Sequence, residues 1–365
     1  MWTGLNQCFL SIGAEYERAD EDRLGYLSFI GGTFGVKGAL KRDERNVAEQ
    51  TGVFAQGEYA LTQDFSLSGG LRYTRMDFSS KDRYIVGINR DDSGSTNYSA
   101  WTSALGAVWK LNDKTNLYAN IGRSFEAPTL IELAYRTDGQ SGLNFDLDQS
   151  TSLQYEIGLK SFLNDRTRFD IAAFVIDTKD EVVVGRNTGG RVAYQNAGDT
   201  SRKGLEISLD SRLSNSLGAF GSMTLIDAKF DDSFLVCTGV PCAAANTPIS
   251  AGNKIAAVTN KSFFGELTYR YQPIGFLGAL EYRASGRMFA NDTNTARIGG
   301  YGIASLRGGF TQKSSNWTFN QFARIDNLFD KEYVGSIYVN DANGRYYAPA
   351  AERTWLIGLS ASYSM

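Results

Sequence analysis

Apolar and polar residues alternate along this chain with a period of two. In Phe65–Tyr73 the odd positions are Phe, Leu, Gly, Leu and Tyr, and the even ones are Ser, Ser, Gly and Arg. Leu153, Tyr155, Ile157 and Leu159 alternate with Gln154, Glu156, Gly158 and Lys160. Leu205, Ile207, Leu209 and Leu213 alternate with Glu206, Ser208, Asp210 and Arg212. Phe263, Leu267, Tyr269 and Tyr271 oppose Glu266, Thr268 and Arg270, and Phe276, Leu280 and Tyr282 oppose Glu281 and Arg283. The last run sets Trp355, Ile357, Leu359, Ala361 and Tyr363 against Gly358, Ser360, Ser362 and Ser364. Side chains on a strand point alternately to two faces, so these runs predict strands with one apolar and one polar or small face. Each is about 9–11 residues or longer, enough to cross a bilayer as a tilted strand.

The connections sharpen the picture. Tight ones are expected at Leu61–Asp64, Leu111–Lys114, Leu163–Arg166, Leu213–Ser216, Gln272–Gly275 and Gln312–Ser315, most with Asn or Asp at the turn, where the side chain can bond its own backbone. Between them lie longer polar segments near 22–46, 79–97, 124–148, 185–191, 231–253, 291–299 and 330–352. Short and long connections therefore alternate. A soluble sandwich has no reason to keep every long loop at one end of a meander, whereas an outer-membrane barrel has short periplasmic turns and long extracellular loops. The expectation is an all-β, antiparallel transmembrane β-barrel domain over residues 1–365, with about fourteen strands whose apolar faces meet outer-membrane lipid. Trp101, Trp109, Tyr118, Phe162, Tyr269, Tyr271, Trp317, Phe319, Trp355 and Tyr363 fall near strand ends, as interfacial girdles would.

Composition agrees. The chain has 22 Phe, 19 Tyr and 39 Gly but only 5 Pro, which suits strands and tight turns rather than helices or disorder. A net charge of −3 gives no basic footprint for nucleic acid. There is no His, which removes Ser-His-Asp and Cys-His catalysis and His-based metal sites. No catalytic constellation, metal site or cofactor motif emerges, so an enzyme is not expected. Cys237 and Cys242 share one loop; a small local disulfide is the preferred reading, implying an oxidising compartment, and the alternative is two free thiols. Cys8 is left over. Met1–Gly4 opens the chain without the basic and apolar regions of a secretory signal.

Three segments carry a family resemblance. Asn120-Ile-Gly-Arg-Ser-Phe-Glu-Ala-Pro-Thr-Leu-Ile-Glu-Leu133 resembles the GRSFRAPTL-EL segment of TonB-dependent outer-membrane receptors. Gln195-Asn-Ala-Gly-Asp-Thr-Ser-Arg-Lys-Gly-Leu-Glu-Ile207 resembles their NAG-x-x-x-x-x-G-x-E segment, and Asn327-Leu-Phe-Asp-Lys-Glu-Tyr333 their NLFDKxY signature. Arg345–Trp355 is similar to a loop of the ferric-siderophore type. The resemblance implies a bacterial outer-membrane receptor for TonB-driven uptake of a scarce small ligand, foremost a ferric siderophore, served by the TonB–ExbB–ExbD complex and the barrel-assembly machinery. Members have a 22-stranded barrel, a plug, a TonB box and a signal peptide. This chain is expected to match the later part of the barrel, and its end, Ser364-Met365, departs from the usual terminal aromatic. A passive pore, or uptake of a vitamin, metal complex or organic cofactor, is the alternative.

An anionic iron chelate favours Arg, for charge and paired hydrogen bonds, and Tyr, for stacking and its hydroxyl. The candidates on the long connections are Tyr135, Arg136, Arg191, Tyr194, Tyr338, Arg345, Tyr346 and Tyr347.

Overall fold

The computed structural model describes residues 8–87, 89–139, 142–188, 191–238 and 244–364. Fourteen strands form one sheet in which each strand hydrogen-bonds its neighbour in sequence order. They are β1 (Cys8–Tyr26), β2 (Leu40–Ala60), β3 (Phe65–Asp82), β4 (Gly94–Asn112), β5 (Thr115–Glu126), β6 (Ser150–Asn164) and β7 (Thr167–Lys179). Then follow β8 (Thr200–Arg212), β9 (Leu217–Phe230), β10 (Lys261–Tyr271), β11 (Phe276–Ser285), β12 (Tyr301–Ser314), β13 (Trp317–Asp326) and β14 (Thr354–Tyr363). All pairings within it are antiparallel. The meander runs from β1 to β14, and these two edge strands do not pair with each other among the described residues.

The short turns form for the local reasons the sequence offers. Asn112 Oδ1 accepts from the Lys114 amide, and Asn164 Oδ1 accepts from the Arg166 amide, both at 2.9 Å. Thr62 Oγ1 and Ser214 Oγ do the same in their turns. Gln272–Ile274 is a single 3-10 turn closed by Gly275 at φ +67°, where a Cβ would lie 2.0 Å from the Thr311 carbonyl oxygen. Only the last turn is displaced. It sits at 315–316, because Ser315 rather than Ser314 takes the left-handed conformation (φ +53°).

Register places the apolar positions of successive strands on one outward face. Ile157 lies opposite Ala119 and Ala173, and Leu280 opposite Leu267 and Leu306. This face has a sharp upper limit. On β1 it reads Leu10, Ile12, Ala14, Tyr16 and then Arg18 and Asp20. Tyr73 opposite Val53 is followed by Arg75 opposite Thr51, and then by Asp77 opposite Glu49. Leu205 opposite Leu225 is followed by Lys203 opposite Asp227. Above the limit the outward charges pair: Arg18 with Glu49 at 2.8 Å, Arg45 with Asp20 at 2.6 Å, and Arg75 with Asp77 at 2.6 Å. Aromatic rings mark both rims, with Tyr73 against Trp101 at 5.2 Å above and Trp317 against Tyr363 at 5.2 Å below. Trp101 and Trp109 lie roughly 27 Å apart along β4 at about 3.4 Å per residue. That matches the lipid-facing band of an outer-membrane barrel. Tyr118 corrects the girdle expectation. It points inward, where its ring covers Gly158 of β6, because an added Cβ there would meet the ring at 2.4 Å.

The inward face carries the polar set. Arg72 pairs with Glu15 across two strands. Glu281 accepts from both Arg307 and Arg324, while Arg307 also reaches Glu266 and Arg324 reaches Asp326. This ladder ties β10 to β13 from the inside.

The tightly buried apolar clusters are not in the wall but under the long connections, at 27–39, 83–93, 127–149, 180–199, 231–260, 286–300 and 327–353. One joins Phe78 and Tyr98 at the top of β3 and β4 to Leu133, Leu143 and Leu147. The other joins Val183, Ala197, Phe230, Val236 and Ile249. Two expected connections change. The segment near 185–191 is the tip of a 180–199 insertion, in which Val182–Thr188 pairs with Arg191–Asn196 as a separate hairpin. The segment near 22–46 shrinks to 27–39, because β1 and β2 run 19 and 21 residues and rise beyond the apolar band.

Candidate functional site

The site is built around Tyr135, and the chain motif just before it explains its position. Thr129 and Glu132 form a reciprocal cap: the Thr129 amide donates to Glu132 Oε2 at 2.7 Å, and the Glu132 amide donates to Thr129 Oγ1 at 3.3 Å. That starts the 3-10 turn Glu132–Ala134. Leu133 on this turn is completely buried in the first loop cluster, and Asn144 N donates to its carbonyl at 2.7 Å. The chain then leaves in an extended conformation at Tyr135.

Three guanidinium groups surround the Tyr135 ring. Arg42 lies 5.2 Å from its centroid, Arg191 5.6 Å and Arg23 6.0 Å. Arg23 and Arg42 come from the inward faces of β1 and β2, and Arg191 opens the second strand of the 180–199 hairpin. Glu44, opposite Arg23 on β2, lies 3.2 Å from Arg42 and 3.9 Å from Arg23. The cluster is net positive and faces the mouth. Arg42 Nη1, Glu44 Oε2 and the neighbouring Asn46 Oδ1 are buried without a hydrogen-bond partner in the protein. Buried polar atoms are rarely left so. Of the three, Arg42 Nη1 is a donor that an anion could satisfy, whereas Glu44 Oε2 and Asn46 Oδ1 are acceptors, and Glu44 Oε2 already faces Arg23. Three guanidinium groups about a phenol, with Arg191 making no ion pair among the described residues, suit a planar, oxygen-rich anion.

The other candidate residues separate. Arg136, next to Tyr135, is committed to Asp138 at 2.8 Å, and that bond raises its already high pKa. Tyr194 packs against the Leu133 cluster, and burial pushes its phenol upward. Tyr338, Arg345, Tyr346 and Tyr347 belong to the 327–353 loop. There, Val334–Ile337 pairs with Tyr347–Pro349, and the Tyr346 and Tyr347 rings meet edge to face at 5.9 Å. No contact joins these four to Tyr135 among the described residues. They connect to it through the 180–199 hairpin, where Asn187 Nδ2 donates to the Val339 carbonyl at 2.9 Å and Asn340 Nδ2 donates to the Val184 carbonyl at 3.0 Å. Arg23, Arg42 and Glu44 escaped the sequence reading because 22–46 reads as loop. The signal was the inward parity of the two strands, which continues past the apolar stretch.

Three loops are locked at Asp292, which is 2% exposed. Its carboxylate accepts from Asn340 Nδ2 at 2.7 Å and from the Ala256 amide at 3.0 Å, and its carbonyl accepts from Asn253 Nδ2 at 2.8 Å. Burial is the largest influence and raises its pKa, outweighing the two hydrogen bonds that lower it. A carboxyl whose folded pKa is raised favours the folded state when protonated. The loop cap is therefore expected to gain protection as pH falls through the Asp292 titration and to lose it as pH rises. Hydrogen exchange across 286–300 reads this directly, and Asp292→Asn should flatten the pH dependence.

Cys237 is buried and disulfide-bonded, Cys8 is free and exposed, and Cys242 lies outside the described residues.

A meander with an outward apolar band, paired charges above it, an inward polar face and loops gathered at one end defines the wall of an outer-membrane β-barrel. The model of the family described as "TonB dependent receptor-like, beta-barrel" matches residues 2–328, and the chain belongs to that family of bacterial outer-membrane receptors. It is 27% identical over 295 residues to the ferrioxamine receptor of Yersinia enterocolitica, covering 80% of this chain and 37% of that protein. To the ferrichrome outer membrane transporter/phage receptor of Escherichia coli K12 it is 25% identical over 297 residues, covering 80% and 36%. Among solved structures, the siderophore receptor PiuA of Acinetobacter baumannii superposes with a TM-score of 0.78 at 17% identity, covering 99% of this chain and 54% of that one. The ferric-catecholate import receptor Fiu of Escherichia coli K12 gives a TM-score of 0.70 at 20% identity, covering 100% and 53%. The chain thus spans little more than a third of the length of these curated relatives.

Proposed function

We propose that this chain supplies wall and mouth to a receptor that captures an anionic ferric chelate of the siderophore type for TonB-driven uptake. The observation that carries the reading is the ring of Arg23, Arg42 and Arg191 about Tyr135, with the Arg42 Nη1 donor buried and without a hydrogen-bond partner. The relatives' printed ligands, ferrioxamine and ferrichrome, support an iron chelate as the class. In this reading coupling to TonB, ExbB and ExbD runs through a plug and TonB box, insertion runs through the barrel-assembly machinery, and a Cys237–Cys242 bond closes the 231–260 loop. Tyr338, Arg345, Tyr346 and Tyr347 form an outer contact surface on the 327–353 loop, held in place by Asn340.

Arg191 provides the cleanest test, since it is exposed and makes no ion pair among the described residues. Replacing it with Gln should weaken binding of a ferric tris-catecholate about tenfold, the scale of one lost charge-assisted hydrogen bond. Tyr135→Ala should weaken binding further, because it removes the surface on which all three guanidinium groups stack. Quenching of intrinsic fluorescence by the chelate reports both, and equal affinity of wild type and both variants would rule the site out.

A further inference from the structure

A second cationic site lies on the outside of the wall, away from the mouth. β10 begins at Lys261, opposite Leu225 of β9. Ile226 N still donates to the Asn260 carbonyl, and above it β9 is met instead by the 252–255 segment: Phe230 N donates to the Asn253 carbonyl and Ile255 N to the Ala228 carbonyl. The wall parts between the Asn260 and Ile255 contacts. The opening is a cleft of about 400 Å³ lined by Asp227, Lys254, Arg287, Met288, Phe289 and Arg297, among others.

Its height in the membrane follows from register. Leu205, Leu225 and Met223 opposite Phe263 are outward, lipid-facing positions, and Lys203 opposite Asp227 is the first charged pair above them. The cleft therefore opens at the upper rim of the apolar band. Elsewhere along that rim several outward charges are paired, as Arg18 is with Glu49, Arg45 with Asp20 and Arg75 with Asp77. Here cations dominate. Lys254 contacts Asp227, and Lys229 contacts Asp231 at 2.9 Å. Lys261 and Arg287 have no ion-pair partner among the described residues, and Arg297 stacks on Phe289 at 5.3 Å. With Lys203, these cations outnumber Asp227 and Asp231.

We propose that this cleft seats the phosphate-bearing headgroup of an anionic lipid of the outer leaflet. Phosphate supplies the negative charge the cleft lacks, and guanidinium groups bind it in paired fashion. Acyl chains hanging from that headgroup lie against Leu205, Leu225 and Phe263, while Met288 and Phe289 cover its glycerol or sugar portion. Basic residues at a membrane surface attract anionic lipid in this way. A soluble anion would satisfy the cations but not the apolar floor, which is why the lipid is the better occupant.

The test uses the full chain in dodecylmaltoside micelles, titrated with phosphatidic acid, phosphatidylcholine or inorganic phosphate, and native mass spectrometry to count retained molecules. Phosphatidic acid should be retained in preference to phosphatidylcholine, and the Arg287→Gln/Arg297→Gln variant should lower that retention about tenfold. Arg75→Gln, on the same rim but away from the cleft, should leave retention unchanged. Equal retention of both lipids by the wild type would overturn the proposal, as would undiminished retention by the double variant. Inorganic phosphate competing as strongly as phosphatidic acid would reassign the cleft to a soluble anion and overturn the lipid assignment.

Discussion

Leu133→Ala should loosen the mouth of the barrel by about 2–5 kcal/mol while leaving the wall below it intact. Leu133 is fully buried, and it is the side chain through which the turn Glu132–Ala134 grips Phe78, Tyr98, Leu143 and Leu147. Removing it leaves a cavity in the apolar cluster that fastens the 127–149 loop to β3 and β4. Polar anchors then remain, among them Tyr98 Oη donating to the Leu147 carbonyl at 2.7 Å and Gln149 Nε2 donating to the Ser99 carbonyl at 3.1 Å. Hydrogen exchange should accelerate across 127–149 and not across β8–β13. Ligand affinity should fall with it, since Tyr135 follows the turn directly. Leu133→Met, which keeps the volume, should cost less than about 1.5 kcal/mol. Unchanged exchange in the alanine variant would mean that the loop is held by something other than this cluster.

Ile157→Arg should act on the wall instead. Ile157 is 53% exposed and lies in the middle of the outward band, flanked by Ala119 and Ala173. An Arg at the bilayer midplane costs about 2–4 kcal/mol in an outer-membrane barrel, with small neighbours offering it nothing to pair with. Refolding into phosphatidylcholine vesicles should therefore yield much less of the heat-modifiable, inserted form than wild type. Gln154→Arg, three residues away but inward, should refold normally. The pair separates a lipid-facing assignment from a general intolerance of charge on β6. Equal yields for both would place the apolar face against something other than lipid.

The strands were legible in the sequence because side-chain alternation is a property of the local backbone. Leu153, Tyr155, Ile157 and Leu159 fall on one face of any strand that contains them, whatever lies beside it. The turns were legible for a similar reason: Asn112, Asn164 and Ser214 bond amides two or three residues onward. The segments resembling the family were informative beyond membership. Thr129 and Glu132 of the first of them turn out to cap the turn that positions Tyr135, and Asn327 of the last takes the left-handed conformation (φ +52°) and bonds the Lys331 carbonyl.

What escaped the sequence depends on contacts between distant segments. Tyr118 has the spacing of a girdle residue, but parity on β5 turns it inward over Gly158. A single connection near 185–191 was expected between two wall strands, yet 182–196 folds as a separate hairpin because Val183 and Ala197 are taken up by the cluster around Phe230. Of the eight Arg and Tyr candidates on the loops, Tyr135 and Arg191 meet. Their partners Arg23 and Arg42 lie on strands that the sequence reading ended too early.

By itself, then, the sequence determined the number of strands, their alternation of faces, their order along a meander and the end at which the long loops gather. All of these follow from period-two patterning and from turn chemistry acting within a few residues. The tertiary structure alone decided where the apolar band stops, which loops lock together at Asp292, and which cations surround one tyrosine. Those are matters of register and of packing between segments a hundred residues apart, and no local preference of the chain encodes them.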